Sequence, residues 1–219
     1  MDAIVAFFLN SGEYRNWGWN VATIGACGAN LTTLVQLWGV CGQNQRVWKS
    51  EKAEVPLGLF AYFHAYFWAF TIYGIKMDSL TVLFNATQVI PFFLILLGVY
   101  VKRGFTLKEW GMVMGTLIMV PIMYSVGVEG SKVFLFVLLL GVLPFLVRQP
   151  IEIFRKKRTG DIDVRFPYTF LAASVFWFVY GIKLHDWAIT LAQPPLFAVF
   201  LMTILLYHKY RPMPTTNNA

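Results

Sequence analysis

Charge is the scarcest thing in this sequence. Asp, Glu, Lys and Arg supply 13% of its 219 residues, about half the share found in a soluble domain. No Asp or Glu falls inside a long apolar run. Asp78, Asp186 and Glu109 stand at the ends of such runs, and Glu129 in a short connection. Acids within the membrane are rare and mark ion pathways, so their absence argues against a proton- or sodium-driven pump. Cysteine is nearly missing too. Cys27 and Cys41 share the first apolar run with no third Cys and no His nearby. A disulfide framework or a metal site on them is not expected, and they are read as small packing residues. No Ser/His/Asp grouping, glycine-rich phosphate loop or metal-ligand spacing appears. An enzyme, a cofactor and a metal centre therefore find no support.

What is present is apolar mass, with 58% hydrophobic and 17% aromatic residues. It is gathered into long runs, so lipid is the solvent for most of the chain. The net charge of +7 does not point to nucleic acid, because the basic residues lie between runs rather than along one polar face. Seven spans are predicted, at about 19–41, 56–74, 80–101, 110–128, 131–149, 166–183 and 187–207. Residues 1–18 hold an apolar stretch too short to cross and read as an interfacial segment, with Trp17 and Trp19 in the aromatic belt. With seven spans, fourteen Lys and Arg collect on one side. The other side receives only Arg15, Lys76, Lys132 and Lys183. The positive-inside rule then puts the N-terminus outside and the C-terminus in the cytosol.

An internal echo gives the plan. Tyr73-Gly74-Ile75-Lys76 returns about 107 residues later as Tyr180-Gly181-Ile182-Lys183, a separation that marks a duplicated unit. Each copy follows an aromatic run (Phe67 to Phe70, Phe176 to Phe178). Each precedes an acid, Asp78 or Asp186, and then a span carrying Asn85 or Gln193. The fold expected is an all-α membrane protein with two parallel three-helix bundles joined by a linker helix, a 3+1+3 plan. Its parts are an interfacial segment at 1–18, a first repeat at 19–101, a linker region at 102–130, a second repeat at 131–210 and a flexible tail at 211–219.

These features resemble the SWEET and PQ-loop (SemiSWEET-related) transporter superfamily over about residues 19–210. The features that carry it are Trp177-x-x-Tyr180-Gly181, its partner Phe70-x-x-Tyr73-Gly74, and the basic loop Arg155-Lys156-Lys157-Arg158-Thr159-Gly160. The resemblance implies a small-solute carrier, most often for mono- or disaccharides, working by alternating access without ion coupling. It places a sugar-stacking indole at Trp177 with Phe70 opposite, Asn85 as the third-span amide and Gln193 as its seventh-span equivalent. Hinge prolines fall on Pro56 and Pro167. In the first span Gly42-Gln43 stands where the family has Pro-Gln.

Apart from any family, an amide at bilayer depth must find a partner, because an unpaired polar group there costs several kcal/mol. Asn85 and Gln88 share a helical face with Thr81, as Gln193 does with Thr190. Either they line a polar cavity or they join helices. Asn30, on a stripe with Thr23, Cys27 and Thr33, is a third candidate amide. His64 is the one ionisable residue deep in a span, open to proton relay or to a neutral structural bond. The substrate set is thus Asn85, Gln193, Trp177, Phe70, Asn30, Gln88 and His64. The expected function is uniport of a small neutral polar solute, sugar first, by a multi-pass protein of a plasma or inner membrane. Its partners are the solute and the bilayer, with a homo-oligomer or a larger membrane complex compatible and nucleic acid not expected. The rivals are an accessory subunit of such a complex and a proton-coupled amino-acid or amine carrier.

Overall fold

The computed structural model describes residues 2–51, 53, 55, 57–158 and 164–210. All regular structure among them is helical. Two short helices, α1 (Asp2–Asn10) and α2 (Gly12–Arg15), precede α3 (Val21–Lys49) and α4 (Leu57–Lys76). Then come α5 (Leu80–Ala86), α6 (Val89–Arg103), α7 (Leu107–Ser125), α8 (Val128–Lys156), α9 (Arg165–Lys183) and α10 (Trp187–Tyr210). By length and composition α3, Leu80–Arg103, α8 and α10 can each cross a membrane. α4, α7 and α9 have 20, 19 and 19 residues, close to the ~20 a crossing needs. Their Tyr, Trp, Gly and Pro lower their mean hydropathy.

Several helices outrun their apolar stretches. α3 continues through Gly42-Gln43-Asn44 to Lys49 instead of stopping near 41. No proline interrupts it, and Val47 and Trp48 gain a seat against Gly98 of α6. α8 likewise runs through Pro150 to Lys156. The span 80–103 is broken at Thr87-Gln88, three to four residues before Pro91. Pro194 and Pro195 stand at the comparable place in α10, which stays one helix.

Chain neighbours are not always space neighbours. α5 and α6 lie against both α3 and α4, and α10 lies against both α8 and α9. α3 packs on α9 and α4 on α8 across the middle, while α7 lies mainly against α4. Gly25 permits the first crossing, since a Cβ there would come within 3.2 Å of the Tyr180 backbone nitrogen. Both cysteines lie exposed on α3, so the expectation that they pack in the interior is not met. Trp17 and Trp19 are exposed as well.

The two Tyr-Gly-Ile-Lys copies end α4 and α9 in the same backbone pattern. In the first, Ser79 N–H bonds to the Gly74 carbonyl (3.0 Å); in the second, Asp186 N–H bonds to the Gly181 carbonyl (2.9 Å). Asp78 and His185, one residue earlier, both take the left-handed conformation, with φ of 45° and 53°. The structural partner of Asp186 is therefore Ser79, not the acid Asp78. The two glycines serve one purpose: a Cβ on Gly74 would lie 2.9 Å from Leu83, and one on Gly181 2.8 Å from Thr190.

Candidate functional site

A small cavity of about 40 Å³ lies between the two sets of helices. α4 presents Phe63, Tyr66, Phe67 and Phe70 to it. α9 presents Phe170, Ala173, Ser174 and Trp177. Each residue of the second group stands 107 positions after one of the first, so the same four helix positions face inward in both copies. Gln36 of α3, Asn85 and Gln88 enter from one side; Gln193, Leu196 and Phe200 of α10 enter from the other, with Leu139 of α8.

Corresponding rings of α4 and α9 meet at two levels. Phe70 and Trp177 touch edge to face, with centroids 5.7 Å apart at 86°. Two helical turns away, roughly 10 Å along the axis, Phe63 and Phe170 lie 5.9 Å apart. Each such pair contributes about 0.5–1.5 kcal/mol beyond area burial. The cavity between them has room for about three waters at ~10–15 Å³ each, and none for a pyranose. In this conformation the rings of α4 and α9 are in contact at both levels.

The amides form a ladder inside the first set of helices. Gln88 Nε2 donates to Asn85 Oδ1 (2.7 Å) and to Gln36 Oε1 (3.1 Å). The Thr33 hydroxyl donates to the same Asn85 oxygen at 3.0 Å. Gln88 Oε1 is buried without a partner, an acceptor beside the cavity awaiting a donor. Across the cavity, Gln193 Nε2 turns back to the Ile189 carbonyl of its own helix (3.2 Å), and the Ser174 hydroxyl to the Leu171 carbonyl (2.7 Å). In the register set by Ser79 and Asp186, Ala192 rather than Gln193 matches Asn85. Gln193 is one position displaced, yet it still lines the cavity.

Asn85, Gln88, Gln193, Trp177 and Phe70 are thus brought together. Asn30 and His64 are not cavity-lining residues. Asn30 Nδ2 donates to the Thr81 hydroxyl at 3.4 Å, joining α3 to α5. The His64 ring is committed at both nitrogens: Nδ1–H faces the Val89 carbonyl (3.3 Å), and Nε2 accepts from Trp68 Nε1–H (3.2 Å). It fastens α4 to the break in the third span. Pro167 occupies the first turn of α9, where a proline removes no intrahelical bond. Pro56 lies outside the described residues. Gln36, Tyr66, Phe63, Phe170 and Ser174 escaped the sequence-based set. Stepping three, four and seven residues back from Phe70 and Trp177 along each helix finds all but Gln36.

Beyond Phe70 and Trp177, toward the end that carries α2, the paired tyrosines cross between the sets. The Tyr73 hydroxyl donates to the Asp186 carboxylate. The Tyr180 hydroxyl lies 2.9 Å from Ser79 Oγ.

No protein-family model matches the chain, and no curated protein matches it in sequence. A solved structure of a eukaryotic SWEET transporter superposes with a TM-score of 0.67, over 87% of this chain and 96% of that one, at 13% identity. The fold is that of a SWEET transporter. Together with four helices of membrane-crossing length and apolarity, it makes this an integral, multi-pass membrane protein.

Proposed function

We propose that the protein is a facilitative carrier for a small neutral polar solute, a mono- or disaccharide first, working by alternating access. α3, α4 and α5–α6 form one repeat, α8, α9 and α10 the other, and α7 is the linker, with seven crossings in all. The α2 end faces outside and the end rich in Lys and Arg faces the cytosol.

The observation that carries this function is the lining of the cavity. Matching positions of α4 and α9 supply flat aromatic walls, and Gln36, Asn85, Gln88 and Gln193 supply neutral donors and acceptors. No Asp, Glu, Lys, Arg or His lines it among the described residues. Apolar walls with a few convergent polar groups suit a small ligand, and a sugar offers C–H faces to the rings and hydroxyls to the amides. Separation of Phe70 from Trp177 would open the site on one side, and of Phe63 from Phe170 on the other. His64, held at both nitrogens away from the cavity, gives a proton-coupled mechanism little to work with.

Uptake of labelled sugars into proteoliposomes tests this, comparing the parent protein with Asn85→Ala and Trp177→Ala. Both variants should lose most of the flux. Equal flux in all three would remove the site. The cavity's size favours one rival, a scaffold subunit of a larger membrane complex, since about 40 Å³ is far below the ~300–1,000 Å³ of a working ligand pocket. Absence of flux for any sugar, together with a stoichiometric copurifying partner, would decide for it.

A further inference from the structure

The two tyrosine crossings are built alike except in one respect. At Asp186 a single carboxylate does two jobs. It accepts the Ile189 N–H at the start of α10 (3.1 Å) and the Tyr73 hydroxyl from the other repeat. At the matching position Ser79 caps Val82 N–H at 3.1 Å but carries no charge. The missing carboxylate comes from Glu13, on α2 of the N-terminal segment. Glu13 accepts from the Ser79 hydroxyl (2.7 Å), from Leu80 N–H (3.0 Å), from Thr81 N–H (3.0 Å) and from the Tyr180 hydroxyl. Gly12 N–H, next to it, bonds to the Asp78 carbonyl at 3.1 Å.

We propose that Glu13 completes a two-fold latch over the outer mouth, so that the N-terminal segment is a strap that must release Tyr180 before the mouth can open. Glu13 bonds to both repeats at once, to α5 of the first through backbone N–H groups and to α9 of the second through a phenol. Separating α4–α5 from α9–α10 at this end would break the Tyr73–Asp186 and Tyr180–Glu13 bonds together. A carboxylate-to-hydroxyl bond is among the stronger kinds, so each half holds the closed state. The role of Glu13 rests on the carrier function proposed above, which supplies the reason for the mouth to open.

Distance measurement by double electron–electron resonance tests the strap without measuring flux. Spin labels go on cysteines at Ile75 and Ile182, both exposed, in a full-length background with Cys27→Ser and Cys41→Ser. Glu13→Gln should lengthen the distances, raising the open-to-closed ratio on the order of tenfold, as loss of one charge-assisted bond would. Tyr180→Phe should do the same, and the double variant should add little to either. Adding Ser79→Asp to Glu13→Gln, which copies the Asp186 arrangement, should restore the parent distribution. A residue that merely anchored the N-terminal segment would not be rescued in that way. Unchanged distances in Glu13→Gln, or in Tyr180→Phe should the first variant fold poorly, would overturn the strap, as would failure of the Ser79→Asp rescue. Should the parent carry no solute while Glu13→Gln still lengthens the distances, the latch stands and the carrier function falls. Should the parent carry solute while the distances stay fixed, the latch falls and the carrier function stands.

Discussion

The two proposed repeats end α4 and α9 in the same turn, down to a left-handed residue before each cap, and divide the chemistry. Around the cavity α4 contributes four aromatic residues and α3, α5 and Gln88 three linked amides, whereas α9 and α10 contribute three aromatics, Ala173, Ser174, Leu196 and one amide. The first repeat's amides are tied to one another. Gln193 and Ser174 are tied only to their own helices. In the carrier proposed above, such unequal walls would hold an asymmetric guest in one orientation, with the amides of the first proposed repeat facing its hydroxyls and Trp177 its flat face.

The sharpest way to break the equivalence of the frames is at their paired glycines. Gly74→Ala would push a methyl onto Leu83, including its backbone nitrogen at 3.0 Å, and Gly181→Ala onto Thr190, including its nitrogen at 3.0 Å. Overpacking of this kind costs about 1–3 kcal/mol. The two variants should melt at similarly lowered temperatures in detergent. A large effect at one glycine and none at the other would show that the turns are alike in shape but not in strain.

The walls should respond unequally where the frames respond alike. Asn85→Ala leaves one Gln88 N–H without its acceptor, at about 1–3 kcal/mol if it stays unpaired, while the Thr33 hydroxyl keeps the Ala29 carbonyl at 2.8 Å. It should lower both melting temperature and sugar uptake. Gln193→Ala frees only a bond to its own helix, so uptake should fall while melting barely moves. Equal loss of stability in both would make the amides symmetric helix glue.

How much of this could be read beforehand follows the range of the forces involved. Helical spans, the likeness of the two Tyr-Gly-Ile-Lys turns and the approach of Phe70 to Trp177 were legible, because apolar runs and a four-residue echo are local patterns. Residue type misleads at Gln193, since the 107-residue spacing of the echo already sets Ala192 opposite Asn85, and the caps at Ser79 and Asp186 keep that spacing. Matching Asp78 to Asp186 by residue type failed for the same reason. Glu13 lies 66 residues before Ser79, in a segment that reads as merely interfacial, and nothing local announces its partner. His64 stood between a relay and a structural bond because burial of a histidine is visible in sequence, while its bonds to Val89 and Trp68 are not.

A smaller contrast separates the two lysines of the echo. Lys76 Nζ donates to the carbonyls of Met123 and Val126 and to the Ser131 hydroxyl, closing the C-terminal end of α7 and fixing it to α4 and α8. A cation there is also favoured by the helix dipole. Lys183 is exposed. Lys76→Met should destabilise by about 1–3 kcal/mol and loosen α7, read as faster amide exchange over 119–126. Lys183→Met should do neither. Equal exchange in both variants would mean that α7 is held by its apolar face alone.

The mildest test separates the two halves of the outer latch by acidity. Burial works to raise the pKa of Glu13, but the bonds from Tyr180, Ser79 and the Thr81 backbone outweigh it, and the folded-state value lies below the ordinary 4.5. A carboxylate held below its unfolded value contributes stability that is complete above about that ordinary value. The contribution disappears as pH falls through the lower, folded value. Melting temperature of the parent should therefore be level from pH 7 to 5 and decline below, with Glu13→Gln lower from pH 7 to 5, flatter in the acid range and converging there on the parent. In labelled protein the same acid step should lengthen the distance between residues 75 and 182 in the parent and leave Glu13→Gln unmoved. An acid response that survives Glu13→Gln unchanged would assign it to another carboxylate, with Asp186, which holds Tyr73 in the other half, the first to replace.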